Sequence, residues 1–196
     1  NTKIWAQRLS YVGELGYELY IKIADAKKIY ELIIKKGEKF NLSNCGMHAL
    51  DTMRMESGFL HWGNDISPEE NQFESGLSFT ISFKKDENFI GKRILKKIIK
   101  EKIKKRFVML ILKETQPGKP LMLHDEPIYH GEKIIGRTTS GNHSFNYKKN
   151  LAFGYIDNKY LHEKILKNNL YIEVEKHKYL AEILSRPLKN SDYKII

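Results

Sequence analysis

Residues 11–18 read Y-V-G-E-L-G-Y-E and run on into L-Y-I. Eight positions hold two glycines, two glutamates and two tyrosines, with an apolar run on each side. Residues 3–10 and 17–23 alternate enough to be two strands, which makes the octet the turn of a hairpin. Gly13 and Gly16 let the backbone reverse sharply. A tight turn needs one glycine and no particular acid, so Glu14 and Glu18 ask for a second explanation. In one, both acids are solvated and Tyr11 and Tyr17 pack inward. In the other, the acids are there to hold a group from outside the hairpin.

Beyond the hairpin, Asp25 is a plausible N-cap, and Ile29, Leu32, Ile33 and Lys36 form a stripe ending at Gly37. A second short helix is expected from about Met47 to Ser57, because Ala49, Leu50 and Met53 share one side. The turn-rich H-W-G-N-D-I-S-P-E-E-N follows, where Pro68 stops any helix. S-F-T-I-S-F-K, residues 78–84, alternates as a strand, and D-E-N-F-I-G-K-R-I-L-K-K-I-I-K reads as a helix and a natural divide. Past it the period changes. F-V-M-L-I-L-K, P-I-Y-H-G-E-K-I-I-G-R-T-T-S-G, L-A-F-G-Y-I and L-Y-I-E-V-E-K-H-K-Y-L-A-E-I-L read as short strands, suited to a small barrel or a sandwich. The expected division is residues 1–88, mixed α+β; 89–104, a linker helix; and 105–196, mostly β.

The chain has 196 residues, 41% of them hydrophobic, enough for a normal core. No apolar run approaches the roughly 18 residues of a membrane span, so no membrane partner is expected. Asn1 opens what reads as a strand entered midway, which suggests a piece of a longer chain. The single cysteine, Cys45, excludes an internal disulfide framework and favours the cytoplasm. The net charge of +10 comes mainly from dispersed lysines, so no specific nucleic-acid partner is expected. The one dense run, Lys96 to Arg106, reads as a solvated helix face or as a phosphate-binding tract. His61 reads as a solvated or capping residue, and Ser140 lacks the context of a nucleophile elbow. No zinc-type spacing, P-loop or dinucleotide fingerprint is present, so no metal, nucleotide or triad chemistry is expected of these residues.

Taken in order, Y-V-G-E-L-G-Y-E, G-M-H-A-L-D-T-M-R-M-E-S-G-F, G-N-D-I-S-P with E-S-G-L, K-K-D-E-N-F-I-G-K, G-R-T-T-S-G and R-P-L span essentially the whole chain. This succession resembles the folate-binding aminomethyltransferases, which include the T-protein of glycine cleavage and the C-terminal module of flavin-dependent dimethylglycine and sarcosine dehydrogenases. The resemblance implies an α+β fold: the later part of a folate-binding body built as a ferredoxin-like plait, then an antiparallel β-barrel. The family's first lobe, with the aspartate that works beside the reacting folate nitrogen, has no counterpart here. The resemblance further implies that Tyr11 and Glu18 face tetrahydrofolate and that Arg54, in the shared L-R-x-E motif, is tied to a carboxylate or carbonyls nearby. Phe59 takes the place of a ligand-lining tyrosine, although core packing accounts for it equally well. Glu14 braces the turn.

Glycine-cleavage T-proteins usually read A-R-D in the second helix, whereas this chain reads A-L-D, with Leu50 in place of the arginine. Leu50 and the H-W-G that follows tilt the resemblance toward the dehydrogenase branch. That branch implies a small methylated amine substrate and FAD in a domain outside these residues. The alternatives are the glycine-cleavage aminomethyltransferase and a non-catalytic folate-binding accessory protein. The latter carries K-G-C-Y-x-G-Q where this chain has E-N-F-I-G-K.

Overall fold

A computed structural model describes residues 2–101, 103–113, 115–161 and 169–189. The chain is α+β and divides into two compact units, one of residues 1–59 with 189–196, the other of residues 60–188.

The first unit begins with a hairpin of β1 (Trp5–Gln7) and β2 (Glu18–Tyr20), paired antiparallel with Trp5 opposite Tyr20 and Gln7 opposite Glu18. These strands are shorter than the alternation suggests. Their ladder is closed by one cross-strand aromatic contact, Trp5 against Tyr20 at 5.0 Å between ring centres. Two helices follow, α1 (Ile23–Gly37) and α2 (Met47–Glu56). Asp25 is not the cap of α1. Lys22 takes that position in an extended conformation, and Asp25 sits inside the first turn, where its charge complements the helix dipole. Thr52, Arg54, Met55 and Glu56 bury the C-terminal half of α2.

In the second unit, the alternating segment 78–84 is not a strand. Ser78–Thr80 forms a 3-10 turn held by local bonds, Thr80 N–H to the Leu77 carbonyl at 3.0 Å and Ile81 N–H to that of Ser78 at 3.1 Å. Alternation makes a strand only where a neighbouring ladder completes it, and none does so here among the described residues. The lysine-rich helix is also shorter than expected. α3 runs Lys92–Lys100, because Gly91 enters it with φ +89° and cuts off residues 86–90.

Six strands then close into an antiparallel barrel. They are β3 (Lys105–Leu112), β4 (Pro127–His130), β5 (Lys133–Ser144), β6 (Lys149–Asp157), β7 (Leu170–Val174) and β8 (His177–Leu184). Their order around the wall is β3-β6-β5-β4-β7-β8. The barrel is the architecture the family resemblance implied, where the strand pattern alone allowed a barrel or a sandwich. Closure satisfies the strand edges that a sandwich would leave unpaired. Inward residues alternate along each strand, Val108, Leu110 and Leu112 on β3 and Leu170, Ile172 and Val174 on β7, and fill one core with Ile128, Ile135 and Ile156. β6 is buried on both faces. Its outward Phe153 and Tyr155 meet Phe107 edge-on at 5.2 and 5.7 Å, and Phe107 N–H donates to the Glu74 carbonyl at 2.8 Å. The segment around Glu74 therefore packs on the barrel's outside. Among the described residues no helix is long and apolar enough to cross a membrane.

Candidate functional site

In the first unit, three of the four residues singled out from the sequence form one connected set. Tyr11 stacks on Phe59, ring centres 6.1 Å apart and planes 14° from parallel. Arg54, 1% exposed, donates Nε–H to Asp51 Oδ1 at 2.6 Å and a guanidinium N–H to the Phe59 carbonyl at 3.1 Å. One fork thus ties α2 to the segment that leaves it, and it fixes the backbone that carries the Phe59 ring.

Glu18 lies on β2, exposed, with Oε2 accepting the Tyr20 hydroxyl at 2.8 Å. That hydrogen bond, with the negative charge behind it, holds the Tyr20 phenol above its ordinary pKa. Oε1 of Glu18 has no hydrogen-bond partner among the described residues. Tyr17 is exposed, so the reading that packs it in a core fails for that residue.

The turn itself is braced twice. Glu14 N–H donates to Ser10 Oγ at 3.4 Å, and its carboxylate pairs with Lys189, whose own N–H donates to the Glu56 carbonyl at 2.9 Å. Gly13 has φ +65°, and a Cβ there would land on Ser57 Oγ. Only glycine meets both demands.

In the second unit, the polar centre is Asp65, 1% exposed. Oδ1 accepts the hydroxyls of Thr139 at 2.6 Å and Ser140 at 2.7 Å, and Oδ2 accepts the His61 N–H at 2.8 Å. Its carbonyl accepts the Tyr155 hydroxyl at 2.8 Å. The blocks G-N-D-I-S-P and G-R-T-T-S-G are therefore one structure, a loop tied to a barrel strand. The tie holds His61 and Trp62 outward, Trp62 well exposed.

Beside it opens a cleft of roughly 860 Å³ lined by Ser67, Glu70, Lys105, Arg137 and Tyr155, among others. Within it Glu70 pairs with Lys105 at 2.6 Å and Arg137 with Asp125 at 3.5 Å. Burial alone would raise the Glu70 carboxyl. The Lys105 ammonium, the Ser67 hydroxyl and the Ser67 N–H outweigh it and hold Glu70 below the usual glutamate value. The Tyr155 phenol is pushed well up, first by burial and then by the negative charges of Glu70, Asp65 and Glu74. It stays protonated and keeps donating. Among the described residues no group of three His, Cys, Asp or Glu side chains is placed to hold a metal ion.

Residues 1–85 match the GCVT N-terminal domain, and residues 105–189 match the glycine cleavage T-protein C-terminal barrel domain. The chain belongs to the glycine cleavage T-protein family. It is 35% identical over 188 residues to mitochondrial dimethylglycine dehydrogenase of Homo sapiens, covering 96% of this chain and 21% of that protein. Mitochondrial sarcosine dehydrogenase of Mus musculus is 32% identical over 151 residues, covering 77% and 16%. An aminomethyltransferase of Bacillus cytotoxicus is 33% identical over 180 residues, covering 92% and 47%. The crystal structure of glycine cleavage system aminomethyltransferase T from Bartonella henselae superposes with a TM-score of 0.81 at 21% identity, over 96% of this chain and 50% of that one. That likeness bears on the fold. The chain thus spans about a fifth of the dimethylglycine dehydrogenase and about half of the aminomethyltransferases. These relatives are enzymes, and in each the T-protein-type module is what this chain matches.

Sequence reasoning passed over Asp65. Its hydroxyl partners lie 74 and 75 positions away, and nothing in the local pattern of either block pairs an acid with a threonine and a serine. The repeated small polar residues of T-T-S-G were the one available signal.

Proposed function

We propose that this chain is a tetrahydrofolate-binding module of a one-carbon-transferring enzyme, with Tyr11, Glu18, Arg54 and Phe59 as its ligand-contacting or ligand-supporting residues. The observation that carries the reading is the Tyr11–Phe59 stack, its backbone anchored by buried Arg54, on the Y-V-G-E-L-G-Y-E turn. A nearly parallel pair of rings offers flat apolar walls of the kind a pterin uses. Glu18 suits it chemically, an ionised acceptor with one oxygen unengaged by the described residues, facing solvent rather than a protein cation. When bound, tetrahydrofolate supplies the nitrogen that takes up the one-carbon unit, and the module's part is to hold and orient that nitrogen.

Leu50 and the identity to the dehydrogenases favour a larger protein of the dimethylglycine or sarcosine dehydrogenase kind, whose methylated amine is oxidised at FAD in another domain. The second reading is the aminomethyltransferase of glycine cleavage, favoured by the match to the Bacillus enzyme.

The test is calorimetric titration of the full-length protein with tetrahydrofolate. Glu18→Gln sets an amide donor against pterin donors and is expected to cost about 2–4 kcal/mol of binding, roughly thirtyfold to a thousandfold in Kd. The melting temperature of unliganded Glu18→Gln should stay near wild type, because the side chain is exposed. Equal affinities for the two proteins would sink the pterin assignment.

A further inference from the structure

Helix α3 is amphipathic, yet none of its residues is fully buried. At about 100° per residue, Ile94, Leu95, Ile98 and Ile99 share one arc and Lys92, Arg93, Lys96, Lys97 and Lys100 the other. Leu95 and Ile98, at the centre of the apolar arc, are half-buried. Ile94 and Ile99, at its two rims, are 54% and 48% exposed, and Ile90 on the entering turn is 104% exposed. Of the five cations, Lys92 is committed to the carbonyls of Lys85 and Glu87 at 2.8 and 2.9 Å, and Lys97 lies 3.8 Å from Glu101. Arg93, Lys96 and Lys100 have no acidic partner among the described residues. Helix spacing sets Ile94 beside Lys97, and Ile90 stands just before the helix across Gly91, so bare isoleucines lie at the edge and at the entrance of a basic stripe.

We propose that this face of α3 lies on an anionic phospholipid surface. Arg93, Lys96, Lys97 and Lys100 meet headgroup phosphates, and Ile90 and Ile94 enter the boundary below them. Charge complementarity selects an anionic partner, and a cluster of cations on an amphipathic helix is the pattern that such membranes attract. The exposed isoleucines add what a purely electrostatic contact lacks. A rigid acidic protein is disfavoured by size. Nine residues make a ridge about 13.5 Å long and about 10 Å across, on the order of 135 Å², far short of the roughly 800 Å² per partner that a stable protein interface buries. A bilayer is soft and demands no matching groove. The absence of a long apolar run speaks only against spanning; a helix lying on the surface needs none.

The test is co-sedimentation of the full-length protein with vesicles of phosphatidylglycerol and phosphatidylcholine in about equal parts, and with phosphatidylcholine alone. Binding is expected to the first only, and to weaken as salt rises. Arg93→Glu/Lys96→Glu/Lys100→Glu should weaken it at least about a hundredfold, and Ile90→Ser/Ile94→Ser about tenfold. Melting curves of both variants should match wild type, since every altered side chain is exposed. No binding to anionic vesicles, or binding unchanged in either variant, would overturn the proposal. So would capture by soluble poly-aspartate as tight as by vesicles, which would assign the face to an acidic polypeptide.

Discussion

Ser140 donates its hydroxyl at 2.7 Å to the same carboxylate oxygen of Asp65 that Thr139 reaches at 2.6 Å. Consecutive residues of a regular strand point to opposite faces and cannot share an acceptor. Here the register of β5 against β6 steps from Thr138 opposite Gly154 to Ser140 opposite Phe153, leaving Thr139 as an extra residue. The bulge turns both hydroxyls to one side. A β-bulge and a buried acid thus define each other's place.

Asp65→Asn should therefore be costly. An amide cannot accept at both ends, so its NH2 must face either the His61 N–H or the two hydroxyls. The expected loss is about 2–4 kcal/mol, from charge-assisted bonds removed and a donor left unmatched. Tyr155→Phe, which strips one donor from the Asp65 carbonyl, should cost about 1 kcal/mol. Urea denaturation of the two variants measures both. An Asp65→Asn protein as stable as wild type would mean that water satisfies the network.

Gly13→Ala tests the turn. Positive φ alone costs a β-carbon about 1–2 kcal/mol, and the collision with Ser57 Oγ adds to it. In a Ser57→Gly background the collision disappears, so the glycine-to-alanine cost should fall to the conformational part. A double-mutant cycle read by thermal melting gives the difference directly. Identical costs in both backgrounds would show that the turn relaxes away from Ser57.

Acid should weaken the second unit through Glu70. Its carboxyl binds a proton less readily when folded than when unfolded, where the ordinary value of 4.5 applies. The stability from its pairing with Lys105 is complete above that ordinary value and is lost as pH falls through the lower, folded one. Glu70→Gln removes this contribution. Urea midpoints followed from about pH 6 to about pH 3 should fall less steeply for the variant than for wild type. Parallel curves would place the acid sensitivity on other carboxylates.

Trypsin, under native conditions, should cut first among the lysines between Lys84 and Lys104, where α3 has no fully buried residue. The piece containing residues 60–84 should nevertheless remain bound to the barrel after cleavage, held by Asp65 to β5, by Glu70 to Lys105 and by the Glu74 carbonyl to Phe107. Size-exclusion chromatography of the nicked protein, with β-type circular dichroism retained, is the expected outcome. Earlier cutting elsewhere would mean that the boundary does not lie in this segment.

By itself the sequence determined the elements whose signal is local. Period-2 alternation with turn punctuation placed β3 through β8. Gly13 and Gly16 marked a sharp turn, and apolar spacing found α2 within one residue of its observed end. The ordered blocks identified the family. What the tertiary structure decided is whatever needs a partner far along the chain. Residues 78–84 alternate but lack a ladder, so they coil into a 3-10 turn. The strands closed into a barrel rather than a sandwich because β8 returned to β3, a contact that no local pattern encodes. Arg54 became a buried fork because Asp51 and the Phe59 carbonyl stand within its reach. Asp65 gained its place only when a bulge 74 residues later turned two hydroxyls toward it. Backbone preference is a property of neighbours in sequence, whereas a buried charge is stable only where the fold delivers its hydrogen bonds.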